Sequence, residues 1–207
     1  MDKDQEENEE KNQFEELIQG LIDNKYGCSN DFVNKSTVTG LRENILRADQ
    51  NGVLQAAGIG NQKNHIQNSL IRGDKIKWIE EKSINEFEVI YLKKVGNFIS
   101  HLNKTCFTSI KSLESHYANY KQKSFYKRHL DQFKNEKGRQ FSLVLFLNDD
   151  WQNDDGGLLS LYPAGGAQRD ISPIGGRMVF FRSDEMEHEV HPSFTRERKS
   201  IAGWLKN

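Results

Sequence analysis

The chain runs to 207 residues, with 29 Lys and Arg against 30 Asp and Glu and a formal net charge of -1. That length fits one sizeable domain able to bury a real core. No apolar run is long enough for a membrane span and no charge-flanked apolar leader opens the chain, so the sequence argues against both and predicts a cytoplasmic protein.

Met1 to Asn12 carries six acids and two lysines, which predicts a disordered acidic tail ahead of a single domain over 13–207. From Phe14 to Ile22 apolar residues fall at helical spacing, and Leu41, Ile45 and Leu46 mark a second helix that stops at Asn51-Gly52. Between them "KYGCSNDFV" is a candidate short strand, and "QAAGIGNQKNHIQNS" reads as a Gly- and Asn-rich loop. A third helix is predicted over 84–102, where Phe87, Ile90, Tyr91, Val95, Phe98, Ile99 and Leu102 recur every three or four positions. These segments form a helical support over 13–108. Cys28 and Cys106 match no metal-binding spacing and read as reduced thiols.

From 109 onward the character changes to strand-length runs: "LESHYANY", "SFYKRHLDQF", "RQFSLVLFL", "GLLSLYP", "GRMVFFRS", "HEVHPSF" and "KSIAGWL", separated by Gly, Asn, Asp or Pro. They predict an α+β, mainly β fold, with a jelly-roll or cupin-like core over 109–207 and the N-terminal helices packed on one sheet. The Gly pairs at 156, 165 and 175 are turns; none opens a helix after a strand, so a phosphate-binding loop is not expected.

The chemistry sits in "FYKRHLDQF". Alternate residues of a strand share a face, so His129 and Asp131 would converge on one spot. Imidazole plus carboxylate is a metal grip lacking one ligand, and "SDEMEHEVHPSF" offers His188 or His191. Two histidines and one carboxylate form the facial triad of non-heme Fe(II) oxygenases, which leaves coordination positions open for co-substrate and dioxygen. His65, His101 and His116 read as surface or helix residues. The basic residues of "RERKSIAGWLKN" open a final strand, where a guanidinium could grip a dicarboxylic acid in bidentate fashion.

Six ordered segments, "RGDKIKWIE", "YKRHLD", "LFLNDDW", "GGLLSLYP", "VFFRSDEMEHEVHP" and "RKSIAGW", carry a resemblance. The chain resembles the Fe(II)- and 2-oxoglutarate-dependent prolyl 4-hydroxylase superfamily, in the branch of the hypoxia-inducible-factor prolyl hydroxylases and their bacterial relatives, from about Ile71 to the C-terminus. The resemblance implies a double-stranded β-helix, with His129, Asp131 and His188 as iron ligands and His191 outside the triad. It selects Arg198, six residues before Trp204, as the clamp on 2-oxoglutarate, with Arg196 as the fallback. It places Tyr120, Ser142, Phe146 and Leu159 around the co-substrate, and Asp74, Trp78, Tyr126, Arg139 and Trp204 on the substrate side. The segment at "RGDKIKW" resembles the start of a mobile loop and strand that fold over a bound peptide.

The chain departs from the pattern at Phe146, where hypoxia-related members carry a tyrosine, and at Lys123 or Ser124, where a glycine is usual. The implied reactants are Fe(II), 2-oxoglutarate and O2, with ascorbate as a possible reductant. The implied partner is a protein or peptide bearing a target proline, with an oxygen-responsive role among the hypotheses. The ordered part is only mildly basic and shows no basic patch interleaved with stacking aromatics, which argues against nucleic acid, and nothing demands more than a monomer. A free amino acid or small metabolite as substrate, and a non-catalytic metal-binding cupin-like module, are the alternatives.

Overall fold

The computed structural model describes residues 3–58, 70–132 and 138–207. Helix α1 (Lys3–Asn24) leads into strand β1 (Tyr26–Ser29), helix α2 (Lys35–Gln50) and the short strands β2 (Gln55–Ala56) and β3 (Asp74–Trp78). Helix α3 (Glu86–Thr105) follows, then β4 (Ser112–Tyr120), β5 (Tyr126–His129), β6 (Arg139–Phe146), β7 (Leu159–Tyr162), β8 (Arg169–Ile171), β9 (Met178–Arg182), β10 (Glu187–Val190) and β11 (Arg198–Lys206). The strands form a seven-stranded sheet in the order β1-β9-β6-β11-β4-β3-β2 and a four-stranded sheet in the order β5-β10-β7-β8.

Each helix starts or packs for a legible reason. The Asn34 side chain accepts from the Thr37 amide to cap α2, and Asn85 accepts from the Phe87 and Glu88 amides to cap α3, satisfying donors that have no partner inside the helix. The apolar stripe of α1 (Phe14, Leu17), α2 (Leu41, Ile45) and α3 (Val95, Phe98) is buried in one cluster with Tyr117, Leu143, Leu145, Phe180 and Ile201 of the large sheet. The opposite face of that sheet contributes Ala118, Tyr120, Val144, Phe146, Val179 and Phe181 to a second cluster, with Leu159, Leu161 and Val190 of the small sheet. The period-two alternation of β6, Leu143 and Leu145 to one side and Val144 and Phe146 to the other, is what makes one strand serve two cores.

Three expectations are corrected. The acidic segment is not a separate disordered tail: from Lys3 it is the first part of α1. Its Glu, Gln and Lys residues are good helix formers, and Glu10 and Gln13 accept hydrogen bonds from Asn97 and Lys94 of α3 at 2.8 and 2.6 Å. The β core is not confined to 109–207, because β1 pairs with β9 and β3 with β4. Strand β8 carries only one apolar residue, Ile171, and its "RDI" gave no sequence signal. The loop expected over 55–69 holds β2, and its residues 59–69 lie outside the described residues.

Candidate metal centre and co-substrate clamp

His129 ends β5 and faces His188 of β10 directly across an antiparallel pair. Asp131 lies two residues on, past the strand end rather than inside the strand as the spacing predicted. One ligand atom from each of His129, Asp131 and His188 lies within 4.8 Å of the others, a set that could hold a metal ion. His129 Nε2 stands 3.7 Å from Asp131 Oδ1, and His188 Nε2 stands 3.6 Å from Asp131 Oδ2.

The surroundings set the state of each ligand. His129 Nδ1 donates to the Lys127 carbonyl at 2.7 Å and His188 Nδ1 to the Met186 carbonyl at 3.2 Å. A carbonyl can only accept, so the ring proton sits on Nδ1 and the Nε2 lone pair of each histidine is turned to the shared point. Burial, and then the neighbouring His129, push His188 down to about 4, which keeps it neutral near pH 7. Burial by itself would raise the Asp131 carboxyl, but His188, His129 and the Ser142 hydroxyl outweigh it and hold the group well below the usual carboxylate range. Two imidazole nitrogens and one ionised carboxylate are the donor set that a ferrous ion takes.

Arg198 begins β11 opposite Tyr120 and is 1% exposed. Its Nε donates to the Gly157 carbonyl at 2.9 Å and its Nη1 to Ser200 Oγ at 3.2 Å, while Nη2 is buried with no partner among the described residues. The guanidinium lies 5.1 Å from the Tyr120 ring centre and 5.0 Å from that of Phe146. Gly157 sits at φ +66°, and a Cβ there would press on Trp151 and on Arg198 Cδ, so glycine is required where the backbone must meet the arginine. Burial lowers Arg198 to about 10, leaving it cationic at neutral pH. Arg196 is committed elsewhere, to Asp155 at 2.6 Å and to the face of Trp151.

One cavity of about 50 Å³ joins these groups: His129, Asp131 and His188 line it together with Arg198, Tyr120, Leu159, Arg72, His116, Tyr126 and Trp204. Ser142 was expected to line the same pocket. It instead donates to Asp131 Oδ2 at 2.7 Å and meets Ser183 Oγ at 2.8 Å. Asp74 was expected on the substrate side, yet its buried carboxylate takes both Arg72 Nε and Nη2, at 2.6 and 2.9 Å. Trp78 keeps 48% of its surface exposed beside His116, and Arg139 stacks 3.6 Å from the Trp204 ring centre. The sequence reading missed Arg72 and Ser200 as members of the site.

It also misread His116, which is 1% exposed on β4 and not a surface or helix residue. All of residues 115–120 are buried, because β4 is covered on both faces, and the alternation that would have marked the cavity side is lost. His191 stays outside the triad, bonded through Nε2 to Ser160 Oγ at 2.7 Å, and His101 pairs with Glu15 on the helical layer. His65 lies outside the described residues.

Two facing antiparallel sheets with a two-histidine, one-carboxylate cluster and a buried arginine in one cavity define a non-heme metal oxygenase architecture. The 2OG-Fe(II) oxygenase superfamily model matches residues 115–206. Human Egl nine homolog 1 is 31% identical over 197 residues, covering 87% of this chain and 44% of the human protein. The chain therefore spans about half the length of the curated relatives it matches. A Pseudomonas putida prolyl-4-hydroxylase structure superposes with a TM-score of 0.86 at 32% identity, covering 94% of this chain and 99% of that one. A prolyl hydroxylase from Trichoplax adhaerens, solved with a peptide of the hypoxia-inducible-factor oxygen degradation domain, gives 0.86 at 28% identity, with coverage of 100% and 94%.

The chain belongs to the 2OG-Fe(II) oxygenase superfamily and is similar to Egl nine homolog 1 and to the bacterial prolyl-4-hydroxylase. Its fold is their double-stranded β-helix, and Fe(II), 2-oxoglutarate and dioxygen are the family's reactants. Among the described residues, no helix is long and apolar enough to cross a membrane.

Proposed function

We propose that the chain is a peptidyl-prolyl 4-hydroxylase acting on a protein substrate, with an oxygen-responsive role. The observation that carries this reading is that one cavity holds both the His129, Asp131, His188 set and the partnerless Nη2 of the buried Arg198. A binding module has no use for a metal site beside a clamp for an anion.

His129, Asp131 and His188 would hold Fe(II) through two imidazole nitrogens and a carboxylate oxygen. Bound Fe(II) with 2-oxoglutarate and dioxygen supplies the oxidising power to hydroxylate an unactivated carbon. Arg198 grips the far carboxylate of 2-oxoglutarate, its two remaining N–H bonds to Gly157 and Ser200 fixing the direction in which Nη2 points. Tyr120, Phe146 and Leu159 wall off water, which strengthens the ion pair at that end. Ser142 fixes the Asp131 carboxylate beside the co-substrate. Tyr126, Arg139, Trp204 and Trp78 stand on the substrate side, and Asp74 serves it by fixing Arg72. The wider reading includes a single domain, a cytoplasmic monomer and ascorbate as the reductant.

The test is an anaerobic titration of apoprotein with Fe(II) and then 2-oxoglutarate, following the visible charge-transfer band, in wild type and Arg198→Ala. A band in wild type that needs far more 2-oxoglutarate in the variant supports the site. Tight iron binding without a band rejects it. A cell-lysate screen for 2-oxoglutarate-dependent gain of one oxygen on proline tests the substrate class, and gains confined to another residue type reject it.

A further inference from the structure

His116 has no role in the mechanism above, yet it lines the same cavity as the metal ligands. Its ring lies between Trp78, 5.0 Å away, and Trp204, 5.3 Å away. His116 Nε2 stands 3.5 Å from Arg72 Nη2. A guanidinium nitrogen can only donate, so Nε2 accepts and the ring proton is on Nδ1. His116 Nδ1 is buried and has no partner among the described residues, and neither has the indole Nε1 of Trp204 beside it. Both orphans are donors. A buried donor without an acceptor is disfavoured, so this wall has a standing preference for an acceptor.

The charge of the wall says which acceptor. Arg72 is neutralised by Asp74, and Arg139 stands 3.8 Å from Glu114. Burial, with the positive charge of Arg72 next in weight, pushes His116 down to about 3, so the ring is neutral. The buried cation without a carboxylate partner among the described residues is Arg198, which pairs with Tyr120 four residues along β4 from His116 and serves the co-substrate. The carboxylate of a free amino acid would want a charge here that the wall does not offer. A neutral amide carbonyl matches neutral donors.

We propose that His116 is a positioning residue for substrate, its Nδ1–H donating, beside the Trp204 indole N–H, to a main-chain carbonyl of the bound peptide next to the target residue. This rests on the peptidyl-prolyl reading and narrows it: recognition at this wall is of backbone, and free proline is not a substrate.

The test has two arms that fail separately. In Zn(II)-loaded protein with 2-oxoglutarate, long-range ¹H–¹⁵N correlation of labelled histidine assigns the His116 tautomer, using His116→Asn to identify the signal. A neutral ring protonated at Nδ1 is expected, and a ring protonated at Nε2 or at both nitrogens overturns the proposal whatever the substrate. In the iron enzyme the probe is a pool of capped pentapeptides with a central proline, compared with free L-proline. His116→Phe, which keeps the ring but not the donor, is expected to raise the half-saturating pool concentration about tenfold with a smaller change in kcat, whereas His116→Asn, whose amide nitrogen overlies Nδ1, stays within about threefold. Equal losses in both variants, no loss in His116→Phe, or turnover of free proline as good as the pool would overturn it. Failure of wild type to form hydroxyproline from either probe rejects the prolyl reading itself, and the carbonyl contact with it, while the tautomer remains a property of the wall.

Discussion

The Ser142 hydroxyl donates to Asp131 Oδ2 across 2.7 Å and joins β6 to the loop that carries the carboxylate. Since that hydroxyl spends its proton on the carboxylate, it must accept from Ser183 Oγ, 2.8 Å away. Asp131 has no strand backbone to fix it, and this hydroxyl pair takes over that task.

Removing the brace is expected to weaken metal binding. Ser142→Ala leaves Asp131 free to rotate and should cost about 10- to 100-fold in Fe(II) affinity. Anaerobic competition against a chelator measures it; an unchanged affinity would show that His129 and His188 hold Asp131 in place without the hydroxyl.

Ser200 accepts Arg198 Nη1 at 3.2 Å and thereby aims the guanidinium. Ser200→Ala is expected to reduce 2-oxoglutarate affinity by about three- to tenfold, the worth of one modest hydrogen bond, with iron binding preserved. The midpoint of the charge-transfer titration reads this. A loss as large as in Arg198→Ala would mean that the whole arginine collapses without Ser200.

Glu197 lies between Lys121, at 2.5 Å, and Lys199, at 3.0 Å. Burial would raise its carboxyl, but the two ammonium groups outweigh burial and lower it from 4.5 to about 2. A carboxyl depressed on folding adds stability above its unfolded pKa, and that stability is lost as pH falls from about 4.5 through about 2. Urea midpoints should therefore drop between about pH 5 and pH 2, and drop less in Glu197→Gln. Identical pH dependence in the two proteins would exclude Glu197 as a source of acid sensitivity.

Gly27 of β1 lets α1 rest directly on the sheet edge. A Cβ at that position would fall on the Leu17 carbonyl, well inside van der Waals contact. Gly27→Ala is expected to destabilise the fold by about 1–3 kcal/mol, the usual range for overpacking. Chemical denaturation measures it, and a loss below about 0.5 kcal/mol would show that α1 can shift aside freely.

Much of this was legible in the residues. Helices α2 and α3 announced themselves because their apolar positions recur at helical spacing and Asn caps or stops mark their ends. His129 and Asp131 stood out by strand spacing, His188 was preferred to His191 only through the family resemblance, and the structure brings the three together. What was not legible depends on distance through space. Ser142 and Asp131 are eleven positions apart, and their bond depends on β6 running past the end of β5. Asp74 looked like a free acid because nothing in "RGD" says that Arg72 folds back onto it. The helix in the acidic segment was hidden because its support, Asn97 and Lys94, comes from a helix some 85 residues further along.

The strand order has a consequence for how the molecule meets copies of itself. Both ends of the large sheet are short, four residues in β1 and two in β2, and the small sheet ends in four-residue β5 and three-residue β8. Charged, exposed Lys127 and Arg128 sit on β5, and Arg169 and Asp170 on β8. A long, bare strand margin is a template for pairing with another chain, and brevity and charge are the usual ways of blunting it. The long, largely buried strands β4, β6 and β11 lie inside the order, each with neighbours on both sides. The longest strands are thus flanked by the least adhesive ones, which guards against sheet-to-sheet polymerisation.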